Sequence, residues 1–142
     1  MSTDRDVRVL GPDGAIWFCE VAGNRIGRIT VAEGIREFPL PAPRSLPRRI
    51  TAGPDGALWV ADGIKGSLER VATDGDITSF VRPGLWAASD VTAGPDGALW
   101  VTTFEGQLVG RMTTGGDFSS FGSGETDVGY AITAGPGGAL WF

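Results

Sequence analysis

Four side chains in this sequence carry the charge and the placement that chemistry needs: Glu20, Asp62, Arg48 and Arg49. Glu20 ends Trp17-Phe18-Cys19-Glu20 and Asp62 ends Trp59-Val60-Ala61-Asp62, each where an apolar segment gives way to a loop. Two readings fit such carboxylates. One is a divalent-cation or polar-ligand position; the other is a solvated loop end, because a metal asks for several converging oxygens. A guanidinium at position 48 suits a carboxylate or phosphate group, or else a structural or solvated role. Asp13, Asp55 and Asp96 each sit in Gly-Pro-Asp-Gly. Aspartate fits that turn because its side chain bonds the local backbone, so these three read as turn formers rather than calcium ligands.

What is missing narrows the chemistry further. The chain has no histidine, the commonest general base near neutral pH and the commonest zinc and copper ligand. Cys19 is the single cysteine, so no disulfide forms within the chain. It neighbours Trp17 in an apolar segment and reads as a small core residue, not as a nucleophile.

These residues hang on a repeat. Gly11-Pro12-Asp13-Gly14-Ala15-Ile16-Trp17-Phe18 returns at Gly53, Gly94 and Gly135, at offsets of 42, 41 and 41 residues. Arg28, Arg70 and Arg111 share one register, as do Ile29, Val71 and Met112, and Phe38, Phe80 and Phe121. An arginine that recurs at the repeat period reads as packing or edge structure. In the second unit the expected strands are 49–52, 57–61, 67–72 and 77–81, with turns at Pro54-Asp55-Gly56 and Thr73-Asp74-Gly75. Leu58 and Val60 fall on one face and Trp59 on the other; both are apolar, which predicts a strand buried on both sides. No segment shows a 3.6-residue period, so almost no helix is expected. Four short strands per unit of about 41 residues predicts an all-β chain, a β-propeller of four-stranded antiparallel blades. The expected blades are 6–41, 47–82, 88–122 and 129–142. The last is incomplete, so the arc falls short of a ring in one chain. Either this is part of a longer propeller or copies associate; two copies supply about as many residues as seven repeats. Self-association into a homodimer or larger assembly is the expectation, since an open arc leaves apolar faces and strand edges in water.

Composition sets the remaining bounds. A net charge of −5 with no basic cluster argues against nucleic acid as partner. Met1-Ser2-Thr3-Asp4-Arg5-Asp6 is polar and no apolar run approaches roughly 18 residues, so neither a signal core nor a membrane span is expected, and the expected location is the cytoplasm. Trp86, Tyr130 and the loop 122–129 depart from the repeat, and an individual binding surface is expected there.

Ile50-Thr51-Ala52-Gly53-Pro54-Asp55-Gly56-Ala57-Leu58-Trp59, a third strand such as Asn24-Arg25-Ile26-Gly27-Arg28-Ile29, and Glu37-Phe38-Pro39-Leu40-Pro41 followed by Ser45-Leu46-Pro47 together resemble the virginiamycin B (streptogramin B) lyase family. The resemblance implies a propeller that opens a cyclic depsipeptide at its ester bond by elimination, with a histidine as base or acid and a glutamate-held magnesium ion at the enolate. It places Arg48 of Pro47-Arg48-Arg49-Ile50 at the histidine position, with Ser89 and Tyr130 there in the next repeats. The family's glutamate falls on Glu20, on Asp62 and on Thr103. It thus implies Arg48, Glu20, Asp62, Ser89 and Tyr130 as ligand positions, Glu20 and Asp62 as magnesium positions, a small cyclic peptide as ligand, and no complete catalytic set. A non-catalytic propeller scaffold or binding module is the other expectation.

Overall fold

A computed structural model describes residues 8–104, 108–122 and 131–142 of the chain. Three four-stranded antiparallel sheets follow one another, each a meander in chain order. The first holds β1 (Arg8–Leu10), β2 (Ile16–Glu20), β3 (Arg25–Thr30) and β4 (Gly34–Pro39). The second holds β5 (Pro47–Ala52), β6 (Leu58–Asp62), β7 (Ser67–Val71) and β8 (Ile77–Val81). The third holds β9 (Ala88–Ala93), β10 (Leu99–Thr103), β11 (Leu108–Met112) and β12 (Phe118–Gly122). A two-stranded sheet, β13 (Thr133–Ala134) and β14 (Leu140–Trp141), completes the set, and the only helical pieces among the described residues are 3-10 turns at Pro83–Leu85 and Pro136–Gly138. The first strand of each sheet lies against the first strand of the next, so β1, β5, β9 and β13 form a shared inner edge. This is the stacked arrangement of propeller blades.

The turn after each first strand explains why the repeat is so strict. The N–H of Gly11 donates to the Ala15 carbonyl at 2.8 Å, and Gly53 and Gly94 do the same to Ala57 and Ala98. Inside that turn the aspartate works in three directions. Asp55 Oδ1 accepts the indole N–H of Trp59 at 3.0 Å and the amide of Ala57 at 3.4 Å, while Oδ2 accepts from Arg70 Nε at 2.7 Å. Asp13 holds Trp17 and Arg28, and Asp96 holds Trp100 and Arg111, with the same geometry. The leading glycine is obligatory: a Cβ on Gly53 would stand 2.4 Å from Trp59 Cδ1. The second turn glycine sits in left-handed backbone, φ 78° at Gly56, where only glycine is unstrained.

The anchored indole then stacks on the outer strand of its own blade. Trp17–Phe38, Trp59–Phe80 and Trp100–Phe121 lie 5.6, 5.5 and 5.6 Å apart between ring centroids. Its other surroundings come from the next blade. Trp17, Cys19 and Ile26 of the first blade pack on Ile50, Leu58, Val60 and Val71 of the second. Trp59, Ala61 and Leu68 of the second pack on Val91, Leu99, Val101 and Met112 of the third. The two faces of β6 therefore enter different cores, and all five of its residues are buried. The first blade's outward face carries Leu10, Ile16, Ile29 and Ile35 exposed, in the register of Ala52, Leu58, Val71 and Ile77.

Two outcomes follow. Asp55→Ala strands the buried indole N–H of Trp59, so thermal denaturation should show a loss of about 2 kcal/mol; an unchanged melting temperature would contradict this role. Asp96 is held at about 2, below its ordinary 3.8, because Trp100 and then Arg111 donate to it, against a smaller opposing effect of burial. Burial raises Asp13 and Asp55, yet the tryptophan, arginine and amide donors together carry both below the ordinary value. Lowered carboxylates stabilise the fold above their unfolded values, and that contribution is lost as pH falls through the folded ones. Stability followed by fluorescence should therefore drop between the ordinary carboxylate range and about 2.

Candidate functional site

Antiparallel alternation sends the loops 21–24 and 63–66, the crossings 40–46 and 82–87, and the starts of β5 and β9 to one end of the blades, opposite the Asp–Trp turns. That end differs from the other in its hydrogen bonding. Five buried side-chain atoms among the described residues make no hydrogen bond: Asn24 Oδ1, Arg25 Nε, Arg48 Nε, Asp62 Oδ2 and Thr103 Oγ1. All five lie here, at the end of a second strand or the start of a first or third strand. Unmade bonds on buried polar atoms are costly, and each asks for an explanation: water, an ion, a ligand or stored strain.

The backbone has a local reason to bend here. In the second blade Pro47 pairs with Asp62 and Arg49 with Ala61, which leaves Arg48 as an extra, bulged residue. In the third blade Asp90 pairs with Thr102 and Ala88 with Thr103, leaving Ser89. A bulge turns one side chain out of the ladder. The two arginines then diverge in partner. Arg49 Nε lies 3.8 Å from Asp90 Oδ1 of the third blade, and Asp90 Oδ2 accepts the amide of Ile132 at 2.9 Å, so one carboxylate on β9 links β5 to the segment that leads into β13. Burial pushes Asp90 up, against the amides of Ile132 and Val91 and the charge of Arg49. Arg48 reaches the same neighbouring blade but finds a ring: its Cζ is 4.7 Å from the Phe104 centroid.

The other sequence-predicted positions fare differently. Ser89 is buried and its Oγ shares a 2.9 Å hydrogen bond with Thr102 Oγ1, so it serves the blade. Asp62 is fully enclosed, and its Oδ1 accepts the amides of Leu46, Ile64 and Lys65 at 3.2, 2.8 and 3.0 Å. It ties the blade crossing to the loop 63–66. Glu20, half-buried, lies 3.7 Å from Arg25 Nε, and Arg25 also donates to Glu37 at 2.9 Å. Burial and then the charge of Glu37 raise Glu20 above its ordinary value, against the pull of Arg25. Tyr130 and the loop 123–129 lie outside the described residues. Trp86 is 65% exposed on the crossing 82–87.

The period of two puts Glu20 on the face of β2 opposite Trp17 and Cys19, the residues that meet the second blade. Asp62 points from the second blade toward the first. The first sheet therefore stands between the two carboxylates, and neither bonds the other. Among the described residues no three acidic, cysteine or histidine side chains converge. Glu20 and Asp62 do not fit a magnesium ion, which asks for a shared octahedral set of oxygens.

One polar group escaped sequence reasoning. Glu69 is 1% exposed on β7, facing the first blade, and accepts hydroxyl donors from Ser67 at 2.7 Å and from Ser79. Burial raises it, the two serine donors lower it, and the Asp62 charge raises it again, for a net upward shift. The signal was present: its register mates in the neighbouring repeats are Gly27 and Gly110, each covered by a phenylalanine ring. Cys19 is pushed up to about 12, chiefly by burial, against a small effect of Arg49, and is inert as a nucleophile.

Comparison with known proteins places these features. The model of the virginiamycin B lyase family matches residues 8–142. The solved virginiamycin B lyase of Staphylococcus aureus superposes with a TM-score of 0.90 at 42% identity over 95% of this chain. A catalytically inactive histidine-to-alanine form of that lyase, solved with quinupristin, matches equally. A streptogramin B lyase structure gives 0.85 at 32% identity. A virginiamycin B lyase of Bordetella parapertussis is 45% identical over 42 residues, 30% of this chain and 14% of its own. The chain spans 47% of the Staphylococcus aureus structure and 46% of the streptogramin B lyase structure.

Glu69→Gln isolates the buried carboxyl. A carboxylate raised in the folded state costs stability as pH climbs from its ordinary 4.5 through its folded value. The glutamine form should be at least as stable as the parent at pH 7 and show a flatter pH–stability profile above 4.5; a large destabilisation with the same slope would contradict the reading.

Proposed function

The chain belongs to the virginiamycin B lyase family, and from that membership we propose that its 142 residues are a ligand-holding section of a streptogramin B lyase-type propeller, one that binds a cyclic peptide lactone but does not itself open it. The observation that carries this reading is the collection of every unpartnered buried polar side-chain atom among the described residues at one end of the blades. Around that end stand Ile64, Trp86 and Phe104 with exposed apolar surface. Apolar walls with a few unsatisfied polar groups suit a compact peptide ligand.

The absence of turnover rests on what elimination needs. A base must take the α-proton and a cation or donor set must steady the enolate. The chain has no histidine, and a relative named as catalytically inactive has had one histidine removed. Glu20 and Asp62 do not supply a shared cation site. At the register where the family's histidine falls this chain has Arg48, and a guanidinium carries donors only, with no acceptor to take a proton.

Self-association belongs to the same proposal. The exposed face of Leu10, Ile16, Ile29 and Ile35 has the register of surfaces that are buried under a tryptophan face in the second and third blades. Trp141, 62% exposed, has the register of Trp59 and Trp100. One copy therefore offers both halves of the seam that joins successive blades, and a second copy is the partner that fits.

Two measurements test the reading. Elimination leaves the mass of a lactone unchanged, so quinupristin incubated with the folded chain and magnesium is followed by chromatographic retention and fragmentation. Quenching of Trp86 with intact quinupristin is the expected result; a linear product formed above the blank would overturn the claim of no turnover, and no binding would overturn the ligand assignment. Light scattering should give about twice the 14.8 kDa chain mass, and a folded species at the single mass would contradict the seam argument.

A further inference from the structure

We propose that Arg48 and Phe104 form a receptor for a carboxylate carried on an apolar or aromatic body. The guanidinium is already held in place. A bulge lifts Arg48 out of the β5–β6 ladder, and its stem lies flat on the backbone of Gly63, where a Cβ would stand 2.5 Å from Nε and 2.8 Å from Cδ. The planar head faces Phe104 at 4.7 Å, across the seam between the second and third blades. Nε is covered and has no acceptor. Among the described residues the two terminal nitrogens find no hydrogen-bond or ion-pair partner, and they are not among the buried unpaired atoms, so they are open to a ligand.

The contrast with other arginines defines the task. Arg28, Arg70 and Arg111 are neutralised by the turn aspartates at 2.7–2.8 Å, and Arg49 faces Asp90. Arg48 combines partial desolvation, a fixed plane and two unused parallel donors. A planar carboxylate answers that fork with two charge-assisted bonds, and pre-organisation lowers the entropy lost on binding. The surroundings choose the rest of the ligand. Phe104 is 40% and Ile64 45% exposed, and the backbone of Trp86 lies against Gly66 in the loop that carries Ile64. An apolar body attached to the carboxylate has surface to cover there, whereas inorganic phosphate has none.

The assignment stands on Arg48, Gly63 and Phe104 and does not depend on the lyase-type reading. The two separate experimentally, because a small carboxylate binds or fails to bind whatever happens to the antibiotic.

Benzoate is the probe, titrated into the isotope-labelled chain and followed by the amide resonances of Gly63 and Phe104. Saturable shifts are expected with benzoate and not with benzamide, its neutral counterpart, which needs no mutant. Arg48→Gln should weaken benzoate by about tenfold or more, and Arg48→Lys, which keeps charge but loses the fork, should fall between. Inorganic phosphate should displace benzoate poorly at equal concentration. Equal binding of benzoate and benzamide, undiminished binding in folded Arg48→Gln, displacement by equimolar phosphate, or no saturable shift would each overturn the proposal.

Discussion

The hydrogen bond from a tryptophan indole to a turn aspartate is the interaction on which the rest of this structure depends. Tryptophan brings a large apolar surface, but its N–H must find an acceptor once buried. Asp13, Asp55 and Asp96 supply that acceptor from the adjoining hairpin turn while also bonding the local amide and an arginine two strands away. One carboxylate thereby fixes the turn, the ring and the third strand together. The ring is then flat against its own outer strand and presented to the next blade, so that blade stacking and hairpin closure are the same event. The fourth copy has Gly137 in place of the aspartate.

This division of labour leaves the two ends of the blades with different chemistry. At the turn end each repeat satisfies its own polar groups locally. At the opposite end strand pairing slips, Arg48 and Ser89 bulge, and the unpaired atoms gather. Beside contacts within a blade, several here run between blades: Arg48 to Phe104, Arg49 to Asp90, Asp90 to Ile132. At this end the residues that vary from repeat to repeat are not the ones that stack, so the seams keep their packing. Glu69 follows the same logic inside a seam, where two serines receive a carboxyl that glycine and phenylalanine replace in the blades on either side.

What repeats in three dimensions was legible in one. The offsets of the Gly-Pro-Asp-Gly copies gave the blades, alternation placed Leu58 and Val60 opposite Trp59, and the expected strand 77–81 is β8. The strand at 49–52 extends two residues further, to Pro47, because pairing resumes beyond the bulge. The site was less legible. Its positions were found through register, yet register cannot say that Asp62 would be captured by three loop amides, or that Glu20 would face the far side of its sheet. Phe104 and Gly63 carried no sequence signal, since their role comes from Arg48, which is distant in sequence from both and belongs to a neighbouring blade in the case of Phe104. Glu69 broke the Gly27–Gly110 register in plain sight, but a single departure acquires meaning only when its surroundings are known to be buried.

Hydrogen exchange at the tryptophan indole N–H groups of a labelled chain shows whether the indole–aspartate bond locks the three complete blades. Trp17 and Trp59, buried and bonded to aspartate, should exchange slowest, Trp100 next, and Trp86 and Trp141 at nearly the free rate. Similar exchange at Trp59 and Trp141 in the folded protein would contradict it.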